Sequence, residues 1–331
     1  MKQIEIRLRD LEERCLAALV AKGAPKEVAK LVYDDYLDAE ARGRASHGFA
    51  SFDVALAAFP TKGRAEIIHR SPGALTIEGN GDTGHWATRL GIDAALPKLE
   101  KVGVYGIGIR NVTRFNTPGP IARYAAKMGA IVLVFEYGGA NFIVPPGGTK
   151  PAVSTNPIGI AIPGTDPPFV LDIATSERAL GYVTLAGLAQ ESIPDSWAVG
   201  SDGLATIDPD KVAGLNPFGG YKGYALALAA EILSGALPGV PIGTEGSLGR
   251  RGATILLISP SVFCQSSTEF AERAQAFLDE VRRTPAREGS MPITYPGAES
   301  ERRIAEVMER GVIKMPEPVW EKLCQATVLE A

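Results

Sequence analysis

The stretch from Ser154 to Ser176, STNPIGIAIPGTDPPFVLDIATS, constrains this chain most. It predicts two apolar strands, Ile158–Ile162 and Phe169–Ile173, joined by the turn Gly164-Thr165-Asp166-Pro167-Pro168. Pro157 and Pro168 stand at the strand starts, where a missing N–H costs least. The strands are β-branched and almost wholly apolar, the pattern of strands covered on both faces in an α/β domain. Their ends are polar: Thr155-Asn156 precedes one strand, and Asp172 with Thr175-Ser176 closes the other. An acid and hydroxyls at the carboxyl end of a strand are where open α/β sheets present ligand contacts. Thr175 or Ser176 is also a candidate N-cap for a helix beginning at Glu177.

A chain of 331 residues can bury a large core and hold two or three subdomains. A net charge of −4, with signs interspersed, gives no footprint for nucleic acid or anionic membrane. No apolar run approaches the roughly 20 residues that span a bilayer, and the charged, helical-looking start MKQIEIRLRDLEER has no signal-peptide core. Cys15, Cys264 and Cys324 are scattered and odd in number, which argues against a disulfide framework and for a reducing, cytoplasmic setting. Neither these cysteines nor His47, His69 and His85 have metal-ligand spacing, so no metal site is expected.

Helices are predicted over about Leu8–Lys22, from Pro25 to about Gly43, where Val28, Leu31, Val32, Tyr36 and Ala39 form a stripe, and over Ser51–Pro60. The expected divisions are a mainly helical N-terminal domain over 1–72, a mixed-sheet domain over 73–260 and a C-terminal helical segment over 261–331 that packs back on the core. After the strand Ala74–Glu78, Gly79-Asn80-Gly81-Asp82-Thr83-Gly84 matches GxGxxG. Two features oppose a dinucleotide fingerprint there. Pro97 interrupts the helix that should follow, and the next strand, Tyr105–Ile109, ends in Arg110-Asn111 rather than in an acid. Arg110 to Pro120 then leads from a strand into a helix start, a natural anion site. Gly219-Gly220-Tyr221-Lys222-Gly223 opens an apolar helix, and reads either as a phosphate cradle without full P-loop spacing or as a flexible turn. Ala253–Ser259 is a buried strand. Ser266 and Glu269 form a capping box for a helix whose stripe is Phe270, Ala274, Phe277 and Val281. A last helix runs from Glu299 to Arg310.

Taken in order, Ser46-His47-Gly48, Asn111…Phe115, Thr155-Asn156-Pro157, Asp172-Ile173-Ala174-Thr175-Ser176, Gly219–Gly223 and Pro296-Gly297-Ala298-Glu299 resemble the malate/L-lactate dehydrogenase-type oxidoreductases. That family includes sulfolactate and ureidoglycolate enzymes and cyclic-imine carboxylate reductases, and the resemblance covers nearly the whole chain. It implies an α/β fold that is not a Rossmann domain, a mixed-sheet cofactor domain beside a helical one, in a homodimer. It implies an NAD(P)H cofactor, NADPH being favoured, held by Arg114, Phe115, Asn116, Thr117, Pro118, Asp172, Ile173, Ala174, Tyr221, Lys222, Glu299 and Arg302. By the same resemblance His47 is the proton donor, supported by Ser46, and Thr155 faces a small-molecule substrate.

The departures from the family pattern are as informative. Ser51 stands where an arginine grips the substrate carboxylate, and Ala55 where a tyrosine is common. Arg114 and Asn116 replace the histidine and glycine of Asn-x-x-His-Phe-Gly, and Tyr182 replaces an aspartate that relays to the histidine. Without that negative charge the His47 pKa should be lower than in relatives. Arg114 is expected either to take over carboxylate binding or to be locked in a structural ion pair. The implied activity is reduction of a 2-imino or 2-oxo acid. The alternatives are a cofactor-binding pseudoenzyme and a malate/lactate-type 2-hydroxy-acid dehydrogenase.

Overall fold

The computed structural model describes residues 2–328. The first elements in chain order are β1 (Gln3–Arg7), α1 (Leu8–Ala21), α2 (Lys26–Ala41) and α3 (Phe52–Leu56). Next come β2 (Glu66–Ser71), β3 (Ala74–Glu78), α4 (Gly84–Val102), β4 (Val104–Val112), α5 (Pro118–Lys127) and β5 (Ile131–Tyr137). The Ser154–Ser176 stretch supplies β6 (Ile158–Ile162) and β7 (Phe169–Ile173), and α6 (Leu180–Ala189), β8 (Ala198–Val199), β9 (Gly214–Leu215) and α7 (Tyr221–Glu231) follow. The chain continues through β10 (Arg251–Ile258), α8 (Ser267–Arg282), α9 (Ala298–Arg310), β11 (Val312–Pro316) and α10 (Glu317–Ala326).

Seven strands form one sheet in the order β2-β3-β4-β10-β5-β6-β7. Only β3 and β4 run parallel, and every other pair is antiparallel. A doubly wound Rossmann sheet is mostly parallel, so the expectation of a mixed, non-Rossmann sheet holds. The strand β4 shows how sequence makes the layers. Tyr105, Ile107 and Ile109 alternate with Gly106 and Gly108, so bulk points to one face. That face packs against Ala87, Ile92, Ala95 and Leu99 of α4 in the larger core cluster. Each fully buried Ile there contributes about 1.5–3 kcal/mol. A second core joins α1, α2 and α3 to Ile313 and Met315 of β11 and Leu323 of α10.

Several local expectations are corrected. The N-terminus begins with a strand, not a helix, because Ile4 and Ile6 alternate with polar residues and β1 pairs with β11. Pro97 does not interrupt α4: packing of Ile92, Ala95 and Leu99 on the sheet outweighs the one missing hydrogen bond. The helix expected from Glu177 starts instead at Leu180 as α6, whose sequence LGYVTLAGLA holds two glycines and no amphipathic stripe to mark its bounds. Thr175 and Ser176 cap nothing, since their hydroxyls donate to Thr155 O and Arg178 O. The strand β7 is a sheet edge with Ile173 exposed, not a strand covered on both sides. In α8 the buried residue is Leu278, whereas Phe277 of the expected stripe is 63% exposed. Finally, the GxGxxG loop is filled with protein. A Cβ on Gly79 would stand 2.7 Å from the carbonyl oxygens of Arg110 and Asn111, and one on Gly84 would strike Phe115. These glycines allow two loops to touch, and leave no cradle for a phosphate.

One buried network sets the loop between β5 and β6. Glu231, at the end of α7, accepts from Ser154 N and Asn156 Nδ2, both at 2.8 Å, and from Gly243 N at 3.3 Å. Asn156 also donates to Ala227 O at 3.0 Å and adopts φ +33°. The network thus fixes the residue next to Thr155 in a conformation that the free chain rarely visits. Glu231→Ala would leave buried donors without an acceptor, and should cost about 3 kcal/mol at about 1–3 per orphaned group. Urea unfolding measures this, and an unchanged midpoint would show that the network carries no stability.

Candidate active site

The turn carrying His47 is built by the polar end of α2. Glu40 Oε2 accepts from Phe49 N at 2.9 Å, directly after the Ser46-His47-Gly48 turn. Gly48 is required there because any Cβ would collide with that carboxylate. Asn116 Nδ2 donates to His47 O at 3.0 Å and is 3.4 Å from Asp35 Oδ1, which anchors the turn to the β4–α5 loop. Ser46 Oγ lies 3.0 Å from His47 Nδ1. Burial first, then the charges of Arg114 and Arg44, push the His47 imidazole down to about 4.

Three cavities share walls around this turn. The first, ≈ 680 Å³, runs past Ser46 and His47 along Thr117, Pro118, Asp172, Ile173 and Ala174 to Tyr182. The second, ≈ 630 Å³, lies on the other side of His47 and is lined by Phe115, Glu136, Tyr137 and Arg251. The two have His47, Arg114, Asn116, Phe142, Thr155 and Pro157 in common. The third, ≈ 490 Å³, meets the first at Arg44, Asp172 and Ile173 and extends to Glu299 and Ser300 at the start of α9. Together they form a trough with His47, Arg114 and Thr155 at its inner bend.

Asp172 stands in the wall where the first and third cavities meet. It forms an ion pair with Arg44, and its Oδ2 accepts from Gly119 N at 3.0 Å. The start of α5, which reads in sequence as an anion site, is therefore occupied by the chain's own carboxylate.

The structure gathers most of the expected site residues and leaves a few outside. Ser46, His47, Arg114, Asn116, Thr117, Pro118, Thr155, Asp172, Ile173, Ala174 and Tyr182 line the first cavity, Phe115 lines the second and Glu299 the third. Four others line none of the three. Ser51 Oγ donates back to Gly48 O at 3.2 Å. Tyr221, 71% exposed, and Lys222 stand on the surface at the start of α7. Arg302 forms ion pairs with Glu299 and Glu306. Tyr182 stacks against Arg178, whose guanidinium carbon is 3.9 Å from the ring centre, and no hydrogen bond joins Tyr182 to His47 among the described residues. Arg114 has no ion-pair partner among the described residues, so the structural-bridge alternative fails.

Sequence reasoning missed Arg44, Glu136 and Arg251. A signal existed for Glu136: it is the one acid in the apolar run IVLVFEY, and a charge inside a buried strand needs a reason.

The malate/L-lactate dehydrogenase family model matches residues 6–324. The chain is 32% identical to L-sulfolactate dehydrogenase of Methanocaldococcus jannaschii over 85% of its length and 84% of that protein's. It is 31% identical to Δ1-pyrroline-2-carboxylate reductase of Ancylobacter novellus over 71% of each chain. The crystal structure of sulfolactate dehydrogenase from Methanocaldococcus jannaschii superposes with a TM-score of 0.86 at 29% identity, covering 98% of this chain and 96% of that one. With motifs, mixed sheet and family match in agreement over nearly its whole length, the chain belongs to the malate/L-lactate dehydrogenase family and is an oxidoreductase.

Proposed function

We propose that this protein is an NAD(P)H-dependent reductase of a small 2-imino or 2-oxo acid, with His47 as the proton-handling group. The observation that carries the reading is the bend of the trough, where His47, Arg114 and Thr155 face two large cavities at once. The first and third cavities make an extended path suited to a dinucleotide, with Thr117-Pro118 and Asp172–Ala174 along its middle and Glu299 near its far end. When bound, the cofactor supplies a hydride to the substrate carbon. The second cavity then takes the substrate, and Arg114, with its buried Nε unpartnered, takes the carboxylate.

Proton transfer follows from the imidazole. With Nδ1–H donating to the Ser46 hydroxyl oxygen, the Nε2 lone pair of neutral His47 is available to the cavities, and Nε2 carries the transferable proton only when the ring is protonated. A ketone needs a proton as hydride arrives, whereas an iminium already carries its own. An imidazole pushed down to about 4 is almost wholly neutral at pH 7. It is a ready base for oxidation and a sparse acid for reduction, which favours the cyclic imine over the oxo acid.

The deciding assay is oxidation of NADH and NADPH, NADPH being expected to serve better, against 2-oxo acids and cyclic imino acids. Cofactor binding without turnover on either class would favour the pseudoenzyme. His47→Ala should slow oxo-acid reduction by about 10²–10⁴ and iminium reduction far less. Equal losses would remove the proton-donor argument. The sign of the pH dependence is fixed by the lowered pKa. Because kcat/KM reports the free enzyme, oxo-acid reduction should fall about tenfold per unit as pH rises above about 4, where protonated His47 is lost. A flat profile from pH 5 to 8 would exclude His47 as the acid.

The proposed assembly is a homodimer. Leu226, Leu228, Ile232, Leu233 and Leu237 (66% exposed) are uncovered on α7 and the turn after it, and a second copy would bury them. Sedimentation should give a dimer that Leu237→Glu dissociates; a monomeric wild type would refute it.

A further inference from the structure

Among the described residues, the arginines along the seam between α2 and the sheet are paired with carboxylates, whereas two half-buried arginines at the second cavity are not. Arg42 pairs with Asp38 and Glu301, Arg123 with Asp38, and Arg44 with Asp172. Arg114 and Arg251 both line the second cavity, and neither has a carboxylate within ion-pair distance among the described residues. Arg114 Nε is buried without a partner, and Arg251 Nε donates only to Leu248 O, at 3.2 Å. The Arg251 guanidinium feels its neighbour: burial, then the charge of Arg114, pushes it down to about 10.

The acid in the same cavity does not restore the balance. Glu136 is 2% exposed, and its Oε1 has no hydrogen-bond partner. No arginine lies within ion-pair distance of it among the described residues, and burial first, then Asp172 and Asp35, raise its carboxyl well above the usual range against the pull of Arg251. The remaining wall is largely apolar, with Val54, Ala57, Ala58 and Phe115, and its further cation, Lys62, is exposed to water. Two uncompensated positive charges in such a setting are costly unless a ligand brings the opposite charge.

The topology separates the two arginines by role. Arg114 lines both large cavities beside His47, whereas Arg251 lines only the second. Arg251 enters at the start of β10, where Gly252 pairs with Tyr137, the neighbour of Glu136.

We infer that the substrate is a dianion: a 2-imino or 2-oxo acid bearing a second acidic group, its C1 carboxylate held by Arg114 and its distal oxyanion by Arg251. This rests on the proposed reductase reading of the same site and adds the charge of the substrate to it. The hydride and proton balance is unchanged, because the distal group takes no part in the chemistry.

The test compares matched pairs: oxaloacetate with pyruvate, and Δ1-piperideine-2,6-dicarboxylate with Δ1-piperideine-2-carboxylate. The diacid should have the higher kcat/KM in at least one pair. Arg251→Leu should lower that diacid-to-monoacid ratio about a hundredfold, the scale of a lost charged hydrogen bond, and Arg251→Lys should recover part of it. NAD(P)H fluorescence titration of each variant separates a lost contact from a misfolded protein. Ligand binding is read alongside as the thermal upshift given by tartronate and oxaloacetate against glycolate and pyruvate. If the diacids bind more tightly in an Arg251-dependent way but nothing turns over, the charge inference stands and the reductase reading falls. If monoacids turn over or bind as well as diacids, or Arg251→Leu leaves the ratio unchanged, the inference is overturned and the reductase reading is untouched.

Discussion

The ionic seam along α2 is the interaction on which the rest of this structure depends. One face of α2 is apolar and belongs to the helical core through Val28, Val32 and Tyr36. The flanks of that stripe carry Asp35, Asp38 and Glu40, continued by Arg42 and Arg44 just beyond the helix, and they meet the sheet layer, while Lys26, Lys30 and Asp34 keep the outward face. Asp38 binds Arg42 and Arg123 of α5, Asp35 sits by Asn116 and 2.9 Å from His85 Nε2, and Arg44 holds Asp172 on the edge strand. Charges withdrawn from water need partners of this quality, and removing one member exposes the others to the full desolvation cost. The seam therefore fixes the His47 turn against the sheet, and the trough is the space it leaves.

The seam also explains what the sequence concealed. The spacing of Val28, Val32 and Tyr36 marks α2 as amphipathic, and a charged face opposite such a stripe ordinarily faces solvent. Here Lys26, Lys30 and Asp34 do face solvent, but Asp35, Asp38 and Glu40 beside the stripe are internal, because the partner residues Arg123, Asn116 and Asp172 arrive from distant parts of the chain. Local periodicity reports which residues share a face and is silent on what meets it. For the same reason Pro97 misleads and the start of α6 is misplaced: a proline inside a packed helix and a helix without a stripe are both decided by tertiary contacts.

Motif order was a better guide to the site than any single motif. Ser46-His47, Arg114–Pro118, Thr155 and Asp172–Ala174 converge although they are spread over much of the chain. The positions that stayed outside the cavities are instructive too. Tyr221, Lys222 and Arg302 stand at or near the first turns of helices, where a lysine or arginine reads as a ligand contact whether or not the helix points at the cleft. Glu136 and Arg251 show the reverse. Each is unremarkable in its own segment and gains meaning from the pairing of β5 with β10.

That pairing has a consequence for the order in which the protein can take shape. The strands β4 and β5 leave the ribosome early but are not neighbours in the sheet, since β10 lies between them. Their shared centre cannot close until everything from Gly138 to Arg250 has been made, and the pairing of β1 with β11 waits for Val312. Long-range strand pairings of this kind are slow, and leave apolar strands uncovered in the interval. The half-made chain thus presents one edge of β4 and one of β5 as open templates until β10 emerges to join them.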